Sequence, residues 1–131
     1  MKFKYSVAYV TIAAENIEQL VNFYSQILHK EPSHYRHGVY AEFNLENLRL
    51  SIFKPKPQRQ SEFVNSGSGM SLCIEVEDLE RAIACFTELG YPPPGEIIEA
   101  SHGKEIYAYD PINTRLILHQ SKSNAGLGQQ G

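Results

Sequence analysis

The sequence lacks the features that mark several classes of protein. It has no tryptophan and only two cysteines, too few for a disulfide framework. Its Lys and Arg residues form no cluster and its net charge is −3, so nucleic acid is not expected as the main partner. No apolar run approaches the length of about 20 residues needed to span a bilayer, and no signal peptide opens the chain. We therefore expect a cytoplasmic protein with reduced thiols and no membrane partner.

The stretch 71–90, SLCIEVEDLERAIACFTELG, has the pattern of a strand that leads into a helix. Apolar and polar residues alternate over 71–76, which is typical of a half-buried strand. Asp78 can cap a helix whose apolar residues recur on one face, and Gly90 suits the end of that helix. The strand therefore has one face for the helix and a second face that is available for function.

The stretch 9–28, YVTIAAENIEQLVNFYSQIL, repeats this arrangement. Alternation over its first residues is followed by Asn16 as a helix cap, with Gln19 in the position of a capping box. Each copy later ends in another predicted strand, 47–53 in the first copy and 113–119 in the second, and these two strands share Asn and Arg in register. The order of elements repeats although the identity between the copies is low.

These patterns predict an α+β protein built from two tandem βαβββ modules. The length of 131 residues suits one domain with a substantial core. We expect a single domain over 1–120 and a flexible tail over 121–131, the domain comprising module one at about 1–54, a Pro- and Gly-rich connector at 55–69 and module two at about 70–120. The predicted elements are a strand at 2–13, a helix at 16–28, a polar turn region at 29–38, a hairpin of 39–45 and 48–53, a strand at 71–76, a helix at 78–89 and later strands at 97–98, 106–109 and 114–119.

Four short stretches carry a resemblance to a known superfamily. They are VEDLE at 76–80, YDPIN at 109–113, AENI at 14–17 and NFY at 22–24. On these residues the chain resembles the vicinal oxygen chelate superfamily, which includes glyoxalase I, extradiol dioxygenases and bleomycin-resistance proteins. The resemblance covers roughly residues 5–120. It implies a curved mixed sheet around a cavity, with the helices on the convex face, and a homodimer.

The superfamily's metalloenzymes place a His, Gln or Glu in the first strand of each module and a Glu, sometimes His or Gln, in the last. The resemblance puts these positions at Tyr9, Ser51, Ser71 and Ile117. Divalent cations prefer carboxylate, imidazole or amide ligands, whereas isoleucine offers no ligand and neutral serine and tyrosine are poor ones. We therefore expect no metal at the family position and no other cofactor.

The histidines do not obviously rebuild a metal site. His34 and His37 lie among turn residues, which is typical of solvated loop histidines. His119 has the same strand parity as Ile117, so it could bind a ligand or exchange a proton in the cavity, or pack at the cavity rim. His102 lies in a loop that often borders the cavity in relatives, which is a weaker signal.

Strand parity predicts which side chains lie on the face opposite the helices. Arg49 and Arg115 are equivalent in the two copies, and guanidinium groups suit carboxylates or phosphates, although both could instead pair with Glu75 or extend to the rim. The aromatic members add flat apolar surface. The candidate ligand-binding residues are Tyr9, Thr11, Arg49, Ser51, Phe53, Ser71, Cys73, Glu75, Tyr107, Arg115 and His119.

Two classes of function fit these features. The first is a metal-free binding protein of the bleomycin-resistance type, which sequesters a small organic ligand without transforming it. The second is a glyoxalase- or dioxygenase-like enzyme with displaced ligands, or a metal-free lyase or isomerase that uses His119 or Tyr9 as acid or base. The sequence favours the binding protein because it shows no nucleophile–base pair. An anionic ligand would meet the arginines and a basic ligand would meet Glu75, and both stay open, as does a cavity formed within one chain or across a dimer.

Overall fold

Two copies of a βαβββ unit follow one another along the chain. The computed structural model describes residues 4, 6–63 and 70–122. The first copy, module one, contains β1 (Val10–Ala13), α1 (Ile17–Leu28), β2 (His34–Arg36), β3 (Tyr40–Asn44) and β4 (Arg49–Phe53). The second copy, module two, contains β5 (Leu72–Glu75), α2 (Leu79–Leu89), β6 (Ile98–Ala100), β7 (Gly103–Tyr109) and β8 (Arg115–Ser121). The modules belong to two separate compact units, with a 3₁₀ helix, Pro57–Phe63, after β4.

Both helices begin at a side-chain cap and end at a left-handed residue. The side-chain oxygens of Asn16 and Asp78 each accept a hydrogen bond, at 3.1 Å, from the backbone N–H three residues further on. The last turns end at His29, with a φ of 55°, and at Gly90, with a φ of 98°. Glycine adopts this conformation without strain, whereas a residue with a Cβ atom is disfavoured there by about 1–2 kcal/mol. The two predicted helices and their caps are confirmed.

Each module forms a four-stranded mixed sheet in which its last strand lies between its first and third strands. The order is β1-β4-β3-β2 in module one and β5-β8-β7-β6 in module two. The first strand pairs with the last in parallel, and the other pairs are antiparallel. The predicted α+β class with two tandem βαβββ modules is therefore confirmed.

One face of each sheet is covered by the helix of the same module. Helix α1 packs on β3 and β4, and α2 packs on β7 and β8. These contacts bury the apolar side chains of alternating strand residues, which are Ala41, Phe43, Leu50 and Ile52 in module one and Ile106, Ala108, Leu116 and Leu118 in module two. The intervening side chains lie on the other side, which we call the helix-free face of the module.

Several predicted boundaries are wrong. The predicted turn region 29–38 contains β2, a short edge strand whose exposed polar residues hide the alternation of a half-buried strand. The first strand begins at Val10, not residue 2, and residues 2, 3 and 5 lie outside the described part. The later strands of module two are displaced or longer at their ends, because hairpin pairing continues past the apolar residues that predicted them.

Two polar segments also differ from their prediction. The predicted connector contains the 3₁₀ helix over Pro57–Phe63, and residues 64–69 lie outside the described part. The predicted tail begins too early, because Ser121 belongs to β8 and bonds to Glu75 through its backbone and its hydroxyl. Residues 123–131 of that tail lie outside the described part.

Two further features of the described residues concern membrane-spanning helices and disulfide bonds. Among them, no helix combines the length and the apolar character needed to cross a membrane. Cys73 and Cys85 are both free thiols, in agreement with the expectation that the chain has no disulfide.

Candidate functional site

The helix-free face of module one pairs its arginine with an acid from the same sheet. Glu42 lies opposite Ser51 in the β3–β4 register, and its carboxylate is 3.8 Å from Nε of Arg49. Glu42 also accepts a hydrogen bond from the Tyr40 hydroxyl at 2.6 Å, which is the main reason that the pKa of Tyr40 rises to about 12. Glu42 is therefore the acidic partner of Arg49, where the sequence suggested Glu75 or the rim.

The other candidates of module one surround a buried hydroxyl. Ser51 is fully buried, and its Oγ has no hydrogen-bond partner among the described residues. Thr11 is exposed opposite Ser51 in the parallel β1–β4 register, and Tyr9 is 47% exposed just before β1. Phe53 packs edge-to-face on Phe63 of the 3₁₀ helix, with ring centroids 5.3 Å apart. An orphan buried hydroxyl is costly unless a ligand or water pairs with it.

The helix-free face of module two has three successive rows of side chains along β8. The first row contains Arg115, whose Nε donates a hydrogen bond to Oγ of Ser71 at 2.7 Å. The pair holds the guanidinium group at Ser71, one of the four positions that the resemblance assigns to metal ligands. Both residues are partly buried, so the contact is shielded from bulk water.

The second row is largely apolar. Ile117 lies between Cys73 of β5 and Tyr107 of β7, and the Tyr107 ring is 42% exposed. Burial raises the pKa of the Cys73 thiol, and the negative charges of Glu105 and Glu75 raise it further. The thiol therefore stays protonated at neutral pH and is a poor metal ligand there.

The third row contains a carboxylate–imidazole pair. Oε1 of Glu75 is 2.8 Å from Nδ1 of His119, and Oε2 accepts hydrogen bonds from the backbone and the hydroxyl of Ser121 at 2.9 and 2.6 Å. Partial burial acts to raise the pKa of Glu75, but the hydrogen bonds from Ser121 and His119 outweigh it and lower this pKa. Glu105 lies on the other side of His119 in the β7–β8 register.

A second imidazole extends this row. Nδ1 of His102 is 3.0 Å from Nε2 of His119, and the two ring centroids are 5.0 Å apart. His102 was only a weak candidate in the sequence, and neither Glu105 nor Ser121 was predicted. Parity with Tyr107 was the signal for Glu105, whereas Ser121 was hidden by its place in the predicted tail.

The two other histidines that the sequence singled out belong to module one. His34 is exposed on β2, where the predicted loop is in fact a strand. His37 stacks on Tyr35 with ring centroids 4.3 Å apart, and its Nδ1 is 3.7 Å from Glu18. Neither histidine approaches a cluster of ligand-type side chains among the described residues.

A pocket of about 260 Å³ opens beside the third row, where β6, β7 and β8 come together. Gly103 and Ser121 form part of its wall, together with Lys104 and Lys122. The Lys104 ammonium also lies 3.3 Å from Glu80. The sequence did not predict this pocket, because its residues come from strand ends that pair only in the folded sheet.

The side chains do not fit a divalent metal at the family positions. Ser71 already accepts a hydrogen bond from a guanidinium group, whose positive charge opposes a cation, and Ile117 has no donor atom. In the other module the nearest carboxylate, Glu42, is engaged by Tyr40 and Arg49. No group of three or more His, Cys, Asp or Glu residues suited to a metal occurs within the described parts of the chain.

Comparison with known proteins identifies the fold. A scan of protein-family models and a search of curated proteins gave no match. Among solved structures, the chain is similar to a glyoxalase-related enzyme from Fulvimarina pelagi, with 18% identity, a TM-score of 0.72, and coverage of 96% of this chain and 94% of that one.

Two further solved structures have the same fold. A glyoxalase/bleomycin resistance protein/dioxygenase family enzyme from Burkholderia phytofirmans PsJN has 14% identity and a TM-score of 0.73, over 86% of this chain and 96% of that one. The fosfomycin resistance protein FosX from Listeria monocytogenes has 14% identity and a TM-score of 0.72, over 92% of this chain and 96% of that one. The fold expected from the resemblance is confirmed, and at these identities the likeness shows the fold alone.

Proposed function

We propose that this chain, which has the fold of the vicinal oxygen chelate superfamily, is a metal-free protein that binds and holds a small organic ligand. The observation that carries the proposal is the 2.7 Å hydrogen bond from Arg115 to Ser71. It puts a fixed cation at a position where metalloenzymes of this fold place a ligand. Such a site suits an anionic group of an organic molecule directly, without a metal between them.

The neighbouring side chains support a ligand with an anionic group and an apolar body. Ile117 and the exposed ring of Tyr107 lie in the row next to Arg115, and together they offer apolar surface to an organic ligand. In module one, the carboxylate of Glu42 lies 3.8 Å from Nε of Arg49.

The assignment to binding without chemical change follows from the groups around Arg115. Ser71, in the same row as Arg115, is hydrogen-bonded to a cation, and Cys73, in the next row, stays protonated. Neither of these described residues is therefore an activated nucleophile. The proposal includes a cytoplasmic location, in line with the two free thiols, and a homodimer, which rests on the resemblance.

The purified protein is expected to retain no stoichiometric Zn²⁺, Ni²⁺, Mn²⁺ or Fe²⁺ after incubation with each ion and dialysis. The reason is the weak donor set at Tyr9, Ser51, Ser71 and Ile117. Elemental analysis of the wild type measures this, and Ser71→Ala is the matched variant that should give the same result. One metal ion per chain in the wild type, lost on mutating Tyr9 or Ser51, would contradict the proposal.

Replacing Arg115 with methionine is expected to lower the affinity for an anionic ligand by about one to two orders of magnitude. The reason is that a charge-assisted hydrogen bond contributes about 1.5–3 kcal/mol. Arg49→Met should have a smaller effect, since the proposed site is built around Arg115 in module two. A thermal-shift screen of small carboxylates and phosphates supplies the ligand, and calorimetry gives its dissociation constant.

The matched control is Arg81→Met, which removes an exposed arginine from the first turn of α2. This variant should bind the same compound as tightly as the wild type. The proposed ligand class is wrong if the double variant of Arg49 and Arg115 binds the compound equally well. It is also wrong if only cationic compounds, attracted by Glu75, stabilise the protein.

A further inference from the structure

We infer that His102, His119 and Glu75 form a proton-transfer site in module two, in which Nε2 of His102 acts as a general base. The three side chains are joined in series, with 2.8 Å between Glu75 and His119 and 3.0 Å between His119 and His102. They occupy the third row of the helix-free face, four residues along β8 from Arg115. The site adds an activity to the proposed binding function, and neither arginine takes part in it.

The order of donors and acceptors along the series fixes which ring nitrogens carry hydrogen. An ionised carboxylate can only accept, so Nδ1 of His119 must donate to Glu75. In a neutral ring, Nε2 of His119 then has a lone pair and must accept from Nδ1 of His102. Nε2 of His102 is left with the lone pair that faces away from the series. The base is therefore oriented by the fold.

The anchor of the series is Glu75. Ser121 gives this carboxylate two hydrogen bonds, and they help to keep it ionised by lowering its pKa. The His119 side chain is only 12% exposed, which holds its ring in one orientation, although Glu75 is 57% exposed and water screens its charge. The main effect of Glu75 is thus to fix the tautomer of His119 and the direction of the series.

Charged groups lie on both strands that pair with or neighbour the series. Glu75 faces His119 from β5 and Glu105 faces it from β7, so His119 lies between two carboxylates. Lys104 on β7 alternates to the other side and interacts with Glu80 of α2. Cys73 stays neutral because its pKa is raised.

A pocket lies next to the loop that carries His102. Its wall includes Gly103, which follows His102, and Ser121, which binds Glu75. The backbone N–H of Lys122 donates to the carbonyl of His102 at 3.3 Å, which ties the loop to the pocket. Side chains of both charges line it, namely Lys104, Lys122 and Glu99, so the pocket suits a small polar molecule.

The reaction step needs no cofactor. Nε2 of His102 takes a proton from an acidic C–H or O–H bond of a bound small molecule, and the electron pair of that bond stays on the substrate. When the proton returns from His102 to another substrate atom, the product is an isomer. In an elimination, that electron pair forms a double bond, the leaving group departs with the pair of its own bond, and the proton on His102 passes to that group or to water. Atoms and charge balance in both cases.

The hydrogen positions can be read directly by ¹⁵N NMR of the histidine rings at neutral pH. We expect both His102 and His119 to carry hydrogen on Nδ1, whereas exposed His34 should show the mixture of a free imidazole. In Glu75→Gln, His119 loses its obligatory acceptor and its preference for Nδ1–H should weaken. Hydrogen on Nε2 of His102 in the wild type would overturn the inference.

The base itself can be tested with 5-nitrobenzisoxazole, a neutral carbon acid. A base removes its ring C–H proton, the N–O bond breaks and a coloured cyanophenolate forms. In mildly alkaline buffer, His102→Gln should lower the second-order rate constant about tenfold or more, and His119→Gln and Glu75→Gln should lower it less. His34→Gln should match the wild type.

The inference fails if His102→Gln reacts as fast as the wild type, or if the wild type reacts no faster than an equal concentration of imidazole. These outcomes leave the proposed ligand binding intact, because that proposal is tested by Arg115→Met in a binding measurement. Undiminished anion binding by the double variant of Arg49 and Arg115, together with a ring-opening rate that falls in His102→Gln, would conversely remove the proposed function and keep the base.

Discussion

Replacing Asp110 with alanine is expected to lower the free energy of unfolding by about 2–4 kcal/mol. Asp110 is only 2% exposed and forms the turn between β7 and β8. Its Oδ1 accepts hydrogen bonds from the backbone N–H groups of Ile112 at 2.9 Å and Thr114 at 2.8 Å. Alanine leaves these two partly buried donors without that partner, and each such loss costs about 1–3 kcal/mol.

The same turn also requires a residue that tolerates a left-handed backbone conformation. Asn113 has a φ of 69°, a left-handed conformation that asparagine tolerates better than most residues with a side chain. The Asp110 carboxylate supports this conformation through its bonds to Ile112 and Thr114, on either side of Asn113. The strands that the turn joins carry Tyr107, Arg115 and His119, so loosening it disturbs all three rows of the helix-free face.

Equilibrium denaturation in urea measures the change, with Asp110→Asn as the matched control. Asparagine keeps a side-chain oxygen in the same place, so Asp110→Asn should keep most of the stability that Asp110→Ala loses. If the free energy of unfolding of Asp110→Ala lies within about 0.5 kcal/mol of the wild type, which is the range of an ordinary surface substitution, the turn is held by other contacts.

Replacing Gly103 with alanine should cost about 2–4 kcal/mol, because backbone strain and overpacking act together. Gly103 has a φ of 147°, which residues with a side chain rarely adopt. An added Cβ would also collide with the carbonyl oxygen of Gln120 and lie 3.1 Å from Nε2 of His119. The backbone of β8 cannot yield without breaking its pairing with β7.

Gly95→Ala is the control, because a Cβ at that position meets nothing within 4 Å and its φ is not in the left-handed region. Denaturation should place this variant close to the wild type. Gly103→Ala should, in addition, shift the His119 ring signals in ¹⁵N NMR. An alanine variant of Gly103 with wild-type stability and unchanged His119 signals would contradict the crowding described here.

The helix caps and the half-buried strands could be predicted from the sequence, because each depends on a short local pattern. The caps at Asn16 and Asp78 are recognisable because a short polar side chain stands directly before an apolar stripe of helical period. The buried alternation around Leu50 and Leu116 follows from the period of a strand with one covered face. Strand β2 lacked this signal because it lies at an edge and its outer residues face water.

The partners across each sheet could not be predicted in this way. Arg49 pairs with Glu42 and Glu75 with Ser121, and both contacts depend on which residues lie opposite each other in the folded sheets. The same is true of the His102–His119 contact, since a strand shifted by one residue would turn His119 to the helix side. Residue types were visible in the sequence, but register and loop position decided their chemistry.

The insertion of each module's last strand between its first and third strands has a consequence for biosynthesis. While module one emerges from the ribosome, β1 has no neighbour until β4 arrives, and β3 exposes one edge. In module two, β5 likewise has no neighbouring strand until β8 is made. Unpaired edges with apolar faces are the segments that nascent chains must protect from aggregation. The strands that complete each sheet form the contacts of highest sequence separation in their module, and such contacts form more slowly than local ones.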